Sequence, residues 1–241
     1  RQFQTQCAPD IFTLLEVLCL APRIPGRTIR IPDRAHGGPV SNPELSQGKS
    51  RGKIAVRLLQ TMAGAEVGGA EAFFVRLAIA FGNIDVDQTL VIRRDPARAR
   101  ALRAGGLSPI ELPFGGRMDF RTRPALQREI ERHKPDVILS WMSRASWATP
   151  AARKPHNYKL IGRLGGYYDL KYYRHCDYLI GNTQDIVDHI VKAGFPNERA
   201  VYLPNFVHAP TRDVVSRLGL DTPADAPLLL AMGRLHENKG F

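Results

Sequence analysis

The sequence predicts an α/β fold in which a parallel sheet is covered by helices on both faces, followed by the start of a second domain of the same kind. Three observations lead there. From residue 53 onward, short apolar runs alternate with stretches of helical periodicity, the pattern of repeated strand–helix units. The first such strand passes to the first helix through EVGGAE at 66–71, where two adjacent glycines stand at a helix start. After an Asp/Pro-rich connector at 221–227, a fresh apolar run at 228–232 reads as the first strand of a new sheet.

Taken in order, residues 1–50 carry Pro9, Pro22, Pro25, Pro32, Pro39 and Pro43 among scattered Gly and Arg, and they read as an irregular or disordered extension. One short helix over 10–20, capped by Asp10, is the exception. Residues 51–208 form the first domain. Its strands are expected at 53–59, 88–92, 108–112, 136–140, 159–162, 178–181 and 200–203. Helices are expected between them at 70–81, 96–104, 119–133, 143–153, 168–175 and 184–193. This is one Rossmann-like domain by size. Gly82 and Gly194 are placed to close helices in the left-handed conformation, and Thr183 to cap the helix that follows it. Residues 209–241 are the connector and the opening of an incomplete second Rossmann-like domain.

The glycine loop has two readings. Gly68 and Gly69 let a ligand approach the backbone while the helix behind them offers free N–H groups and its positive dipole end, which suits an anion. A plain tight turn fits the same residues. Composition bears on the partner: the formal net charge is +11, supplied by Arg more than Lys, which favours phosphate or an anionic membrane surface. Arg121, Arg128 and Arg132 share one helical face, which is either a binding stripe or a solvated surface. Nucleic acid is disfavoured, since no aromatics interleave the arginines and no zinc-finger or RNA-recognition spacing occurs. Cys7, Cys19 and Cys176 form no CxxC pair, so neither a disulfide framework nor a zinc site is indicated and a cytoplasmic setting fits. No apolar run approaches the ~20 residues that span a bilayer.

Four segments then carry a resemblance: EVGGAE at 66–71, CDYLIGNTQDI at 176–186, YLPNFV at 202–207 and GRLHENKG at 233–240. In this order and spacing the chain resembles the N-terminal half of glycosyltransferase family 4, retaining enzymes of the two-domain GT-B fold. The resemblance covers 53–241. It implies transfer of a sugar, with retention, from a nucleotide-diphosphate-sugar donor to a glycan or lipid-linked acceptor. It also implies that Arg234 and Lys239 hold the donor diphosphate without a metal, and that Gly68 and Gly69 form the first-domain loop facing the donor phosphates. Lipopolysaccharide or capsule assembly in bacteria is a common setting for the family; the chain's basic surface adds the expectation of peripheral contact with anionic lipid on the cytoplasmic face of the inner membrane.

Two departures matter. Many members carry a His after the strand at 159–162, where this chain reads GRLGGYYD; Arg163 stands there as a contact for a charged substrate, and Asp169 as an acceptor for sugar hydroxyls, each beside a purely structural reading. The family's pair of donor-contacting glutamates falls after Phe241, so the 241-residue chain is expected to transfer little sugar by itself. The alternative is a non-catalytic remnant or binding module that keeps acceptor or membrane binding. A dehydrogenase fits less well, because the loop is not G-x-G-x-x-G and Arg93 and Arg94 stand where the second strand would end in an acid.

Overall fold

A computed structural model of the chain describes residues 56–83, 86–116, 118–153, 155, 157–205 and 227. The expected N-terminal helix, the second domain, and with them Arg234 and Lys239, lie outside the described residues. Seven strands form one sheet in the order β3-β2-β1-β4-β5-β6-β7, every neighbouring pair parallel. They are β1 Arg57–Met62, β2 Asp87–Arg93, β3 Ile110–Leu112, β4 Val137–Trp141, β5 Lys159–Leu164, β6 Tyr178–Gly181 and β7 Ala200–Tyr202. The helices are α1 Gly69–Gly82, α2 Pro96–Ala104, α3 Thr122–His133, α4 Met142–Ala148 and α5 Gln184–Lys192.

Alternate strand residues feed two cores, which is why the strands read as near-continuous apolar runs. Leu58, Met62, Leu90, Ile92, Leu139 and Trp141 meet α1 and α2 on one face, where Phe73, Phe74, Leu77 and Phe81 supply most of the helix side. Leu59, Val91, Ile138, Leu160 and Leu179 meet α3, α4 and α5 on the other through Leu126, Ile130, Ala145, Ile186 and Ile190. Each of these large side chains stabilises the fold by about 2 kcal/mol. Helices on both faces of a parallel sheet make this a Rossmann-like domain.

Several expected boundaries move. The first strand continues past Leu59 because Gln60 and Thr61 are fully buried yet satisfied: Gln60 donates to Gln88 at 3.0 Å and accepts from the Trp141 indole at 3.1 Å. Thr61 and Thr149 share a hydroxyl contact of 3.3 Å. The strand expected at 159–162 likewise runs on to Leu164 and carries Arg163 inside it. The helix expected at 119–133 begins only at Thr122, since Asp119 spends its carboxylate on the backbone N–H groups of Gly115, Arg121 and Thr122. The helix expected at 143–153 stops at Ala148 because Thr149 precedes Pro150 and adopts extended backbone. The helix expected at 168–175 is a single 3-10 turn, Leu170–Tyr172, capped by Asp169. Gly194 does take positive φ, at 95°, whereas Gly82 is still helical and Asn83 ends α1 in an ordinary right-handed conformation. Thr183 caps α5 as expected, accepting from the Ile186 N–H.

The two edges of the sheet differ. At the N-terminal edge, Asp136 takes the backbone N–H and the guanidinium of Arg57, and Asp177 takes the Leu160 N–H and the Lys159 ammonium. The C-terminal edge carries the loops described next.

Candidate functional site

Strand order reverses between β1 and β4, which are neighbours but not consecutive. In open α/β sheets ligands bind outside the carboxyl ends of strands at such a switch point. Here the loop after β1, the β4–α4 junction and the loop after β5 converge there.

The loop after β1 holds the glycines. Gly68 is the N-cap residue of α1 with extended backbone, and no side chain caps the helix. The Ala72 N–H bonds the Gly68 carbonyl at 3.0 Å, so the N–H groups of residues 69–71 precede the first intrahelical bond. Into this end folds the chain's own Glu71, 8% exposed, whose Oε1 accepts from the Ala65 N–H at 2.8 Å. A Cβ on Gly64 or Gly68 would lie 2.3 and 2.2 Å from the Glu71 carboxylate, whereas one on Gly69 would meet nothing within 4 Å. The two adjacent glycines therefore divide the work: Gly68 seats an internal carboxylate, and Gly69 leaves the backbone open. Glu71 supplies negative charge to the first turn, where the helix dipole favours it.

Two residues that the sequence reading missed hold this loop. Glu71 is one. The other is Arg98, which lies in an arginine-rich stretch but is only 5% exposed; it pairs with Asp95 at 2.9 Å and donates to the Ala65 carbonyl. Its signal was the D-P-x-R pattern at 95–98, an N-cap with a cation three residues on.

Arg163 is 3% exposed and lies between the rings of Phe73, 4.8 Å from the centroid, and Trp141, at 5.1 Å. It donates to the Asn205 side chain, its Nε has no hydrogen-bond partner, and no carboxylate pairs with it among the described residues. Burial pushes its pKa down to about 10. The guanidinium thus meets the YLPNFV turn through Asn205 rather than open space. Asp169 is committed as well: it accepts from the Lys171 N–H at 2.9 Å and pairs with the Lys171 ammonium at 2.6 Å, which together hold its carboxyl below the usual range.

At the β4–α4 junction Met142 has φ 61°, a left-handed conformation costly for a non-glycine residue. This elbow turns its side chain toward the glycine loop, where Tyr168 donates to its sulfur at 3.6 Å. Burial, and then the Glu71 charge, raise the Tyr168 pKa. The next residues, Ser143 and Arg144, line a separate pocket of about 680 Å³ with Gly116, Trp147, Lys171, Tyr172 and Arg174. Arg121, Arg128 and Arg132 are exposed on or before α3, away from that lining. Among the described residues no group of His, Cys, Asp and Glu could hold a metal, and no helix is long and apolar enough to cross a membrane. Cys176 is buried against Gly162, and burial pushes its thiol up to about 12.

The structure defines a doubly wound α/β domain with a glycine loop at its switch point. The family model for Glycosyltransferase Family 4 matches residues 67–209, and the chain belongs to that family. Two curated proteins of Rhizobium meliloti are similar to it. The lipopolysaccharide core biosynthesis glycosyltransferase LpsE is 36% identical over 189 residues, 72% of this chain and 51% of that protein. The corresponding LpsD is 33% identical over 181 residues, 72% of this chain and 50% of that protein. The chain thus spans about half the length of the curated relatives it matches. Among solved structures, Anabaena HepE in complex with UDP aligns at 16% identity over 62% of this chain and 44% of that one, with a TM-score of 0.48.

Proposed function

We propose that this chain supplies the acceptor-side domain of a retaining glycosyltransferase that moves a sugar from a nucleotide-diphosphate sugar to a glycan or lipid-linked acceptor. Lipopolysaccharide core assembly at the cytoplasmic face of the membrane is the setting favoured by the similarity to LpsE and LpsD. The observation that carries the reading is the open Gly69 backbone at the start of α1, beside the switch point, in a chain of this family. Gly68 acts by seating Glu71, and Arg163 acts through Asn205. Arg234 and Lys239 are proposed as the cations on the donor diphosphate, whose charge grows as the glycosidic bond breaks.

The loop after β3 supports peripheral contact with anionic lipid. Met118 and Phe120 are 82% and 78% exposed, on a turn that Asp119 pins by three backbone hydrogen bonds, with Arg121 and Arg123 following. Basic residues at such a surface contribute about 1 kcal/mol each. The transferase reading is tested with the natural gene product, a panel of nucleotide sugars and truncated lipopolysaccharide core as acceptor. Sugar transfer that disappears in the Arg234→Ala and Lys239→Ala variants is expected; tight NAD binding with no response to any nucleotide sugar would overturn the assignment.

A further inference from the structure

The lining of the pocket beside the switch point is cationic, and Asp119 lines a small adjoining cavity with Gly116, Arg123, Arg144 and Trp147. Arg144, Lys171 and Arg174 are exposed on its lining, and no carboxylate is part of that lining among the described residues. Lys171 is already paired with Asp169, which leaves the two arginines without an ion pair among the described residues. Arg123 adds a fourth cation next door: it stacks 5.0 Å over the Trp147 ring and donates to the Trp147 carbonyl at 2.6 Å. The indole under that guanidinium also lines the pocket. Next to Arg174, the His175 pKa is lowered by burial and then by Arg174, Arg123 and Arg153.

The pocket's origin in the fold is specific. Ser143 and Arg144 leave the end of β4, the 171–174 segment follows β5, and Gly116 follows β3, so two adjoining strands and the edge strand contribute to it. The α4 part of its lining begins at Ser143, one residue after the Met142 elbow that meets the glycine loop. Planar guanidinium groups grip two oxygens of one anion, and an aromatic face suits the C–H face of a pyranose ring.

Resting on the transferase reading above, we infer that this pocket receives the acceptor through an anionic sugar, a carboxylate or phosphate held by Arg144 and Arg174 with the sugar ring against Trp147. A neutral acceptor residue would leave both arginines without an anion. The test uses the 241-residue chain and four probes: glucuronate, glucose 6-phosphate, glucose and inorganic phosphate. Binding is followed by ligand-detected NMR and by tryptophan fluorescence at low and physiological salt. At least one anionic sugar is expected to bind about tenfold or more tighter than glucose and than inorganic phosphate, weakening with salt. Preference for glucuronate identifies a carboxylate, preference for glucose 6-phosphate a phosphate.

The Arg144→Gln, Arg174→Gln double variant should keep the wild-type melting temperature, since both side chains are exposed, and lose that tenfold preference. The single Trp147→Leu variant should weaken both anionic sugars and leave inorganic phosphate unchanged. Glucose binding as tightly as both anionic sugars, inorganic phosphate binding as tightly as either, no binding of either anionic sugar, or undiminished binding by the folded double variant would each overturn the inference. Donor turnover is read separately, with the natural gene product: its failure with anionic-sugar binding intact sinks the transferase reading alone, and the reverse result sinks the pocket alone.

Discussion

Replacing Gly68 by Ala should destabilise the domain by about 2–3 kcal/mol, and the cause should be Glu71 rather than the glycine's own backbone. Gly68 has φ 179° and ψ 164°, extended geometry that any residue adopts. The added Cβ, however, would lie 2.2 Å from Glu71 Oε2 and 3.0 Å from its Cδ. The carboxylate must leave its seat and give up the Ala65 N–H at 2.8 Å. A hydrogen bond to a charged group is worth about 1.5–3 kcal/mol, and Ala in place of Gly at an N-cap adds about 0.5. In a Glu71→Ala background only the capping cost remains, so the two substitutions should couple by about 1.5–2.5 kcal/mol. Urea denaturation of the four proteins in a double-mutant cycle reads this directly. In thermal melts a loss of 2 kcal/mol would appear as a drop of about 4–8 °C. If Gly68→Ala costs the same with and without Glu71, the glycine is not there to seat the carboxylate and the account of the loop is wrong.

Other expectations follow from single side chains. Arg163→Met removes a charge that burial already disfavours, with a pKa near 10, so stability should be unchanged or rise by about 1 kcal/mol while nucleotide-sugar affinity falls; a loss of more than about 2 kcal/mol would make the arginine a structural strut. Arg98→Met leaves Asp95 buried without its cation and frees the Ala65 carbonyl, so a loss of about 3 kcal/mol is expected together with faster hydrogen exchange over 64–68; unaltered exchange there would sink the idea that Arg98 holds the loop. Met118→Ser with Phe120→Ser should leave the melting temperature unchanged and reduce sedimentation with anionic vesicles, and equal sedimentation would remove this loop from the membrane reading. For Asp119, burial raises the pKa, but hydrogen bonds from Thr122, Gly115 and Arg121 outweigh it and bring the carboxyl from 3.8 to about 2. Its contribution is present above pH 3.8 and lost as pH falls toward 2, so the stability difference between wild type and Asp119→Asn should shrink across that window; a difference constant from pH 5 to about 2 would contradict the assignment.

The parallel sheet was legible because burial on both faces writes itself into the chain as apolar runs. β6 and α2 fall at the residues expected, the latter because Asp95 and Pro96 mark its start and Gly105 follows its end. Most of what escaped depends on side-chain partners that periodicity does not reveal, several of them far away in sequence. Gln60 and Thr61 look like the end of a strand until Trp141, Gln88 and Thr149 come within hydrogen-bond reach. Arg98 looks solvated until Ala65 is beside it, and the 168–175 stretch looks helical until Asp169 turns to its neighbour Lys171. The glycine loop was visible as a motif, but its internal occupant was not, since nothing local distinguishes Glu71 from an ordinary acid in a first helical turn.

The distribution of cost across the sheet is itself an argument about function. At the N-terminal edge every described carboxylate of note is spent on holding strands together: Asp136 on Arg57, and Asp177 on the Leu160 backbone and Lys159. At the C-terminal edge the chain tolerates features that stability alone would remove. Met142 and Phe114 sit at positive φ without being glycine, at 61° and 45°. Arg163 is buried with no carboxylate beside it among the described residues, and Met118, Phe120 and Tyr167 are exposed. Each costs free energy that a more polar loop or a smaller side chain would avoid, by about 1–3 kcal/mol for each strained residue. Such violations gather where a chain trades stability for a site. Most of them lie at the edge that contains the switch point, the open Gly69 and the cationic pocket; Lys134, at φ 46°, is the exception and closes α3 at the opposite edge, where a left-handed residue ends a helix.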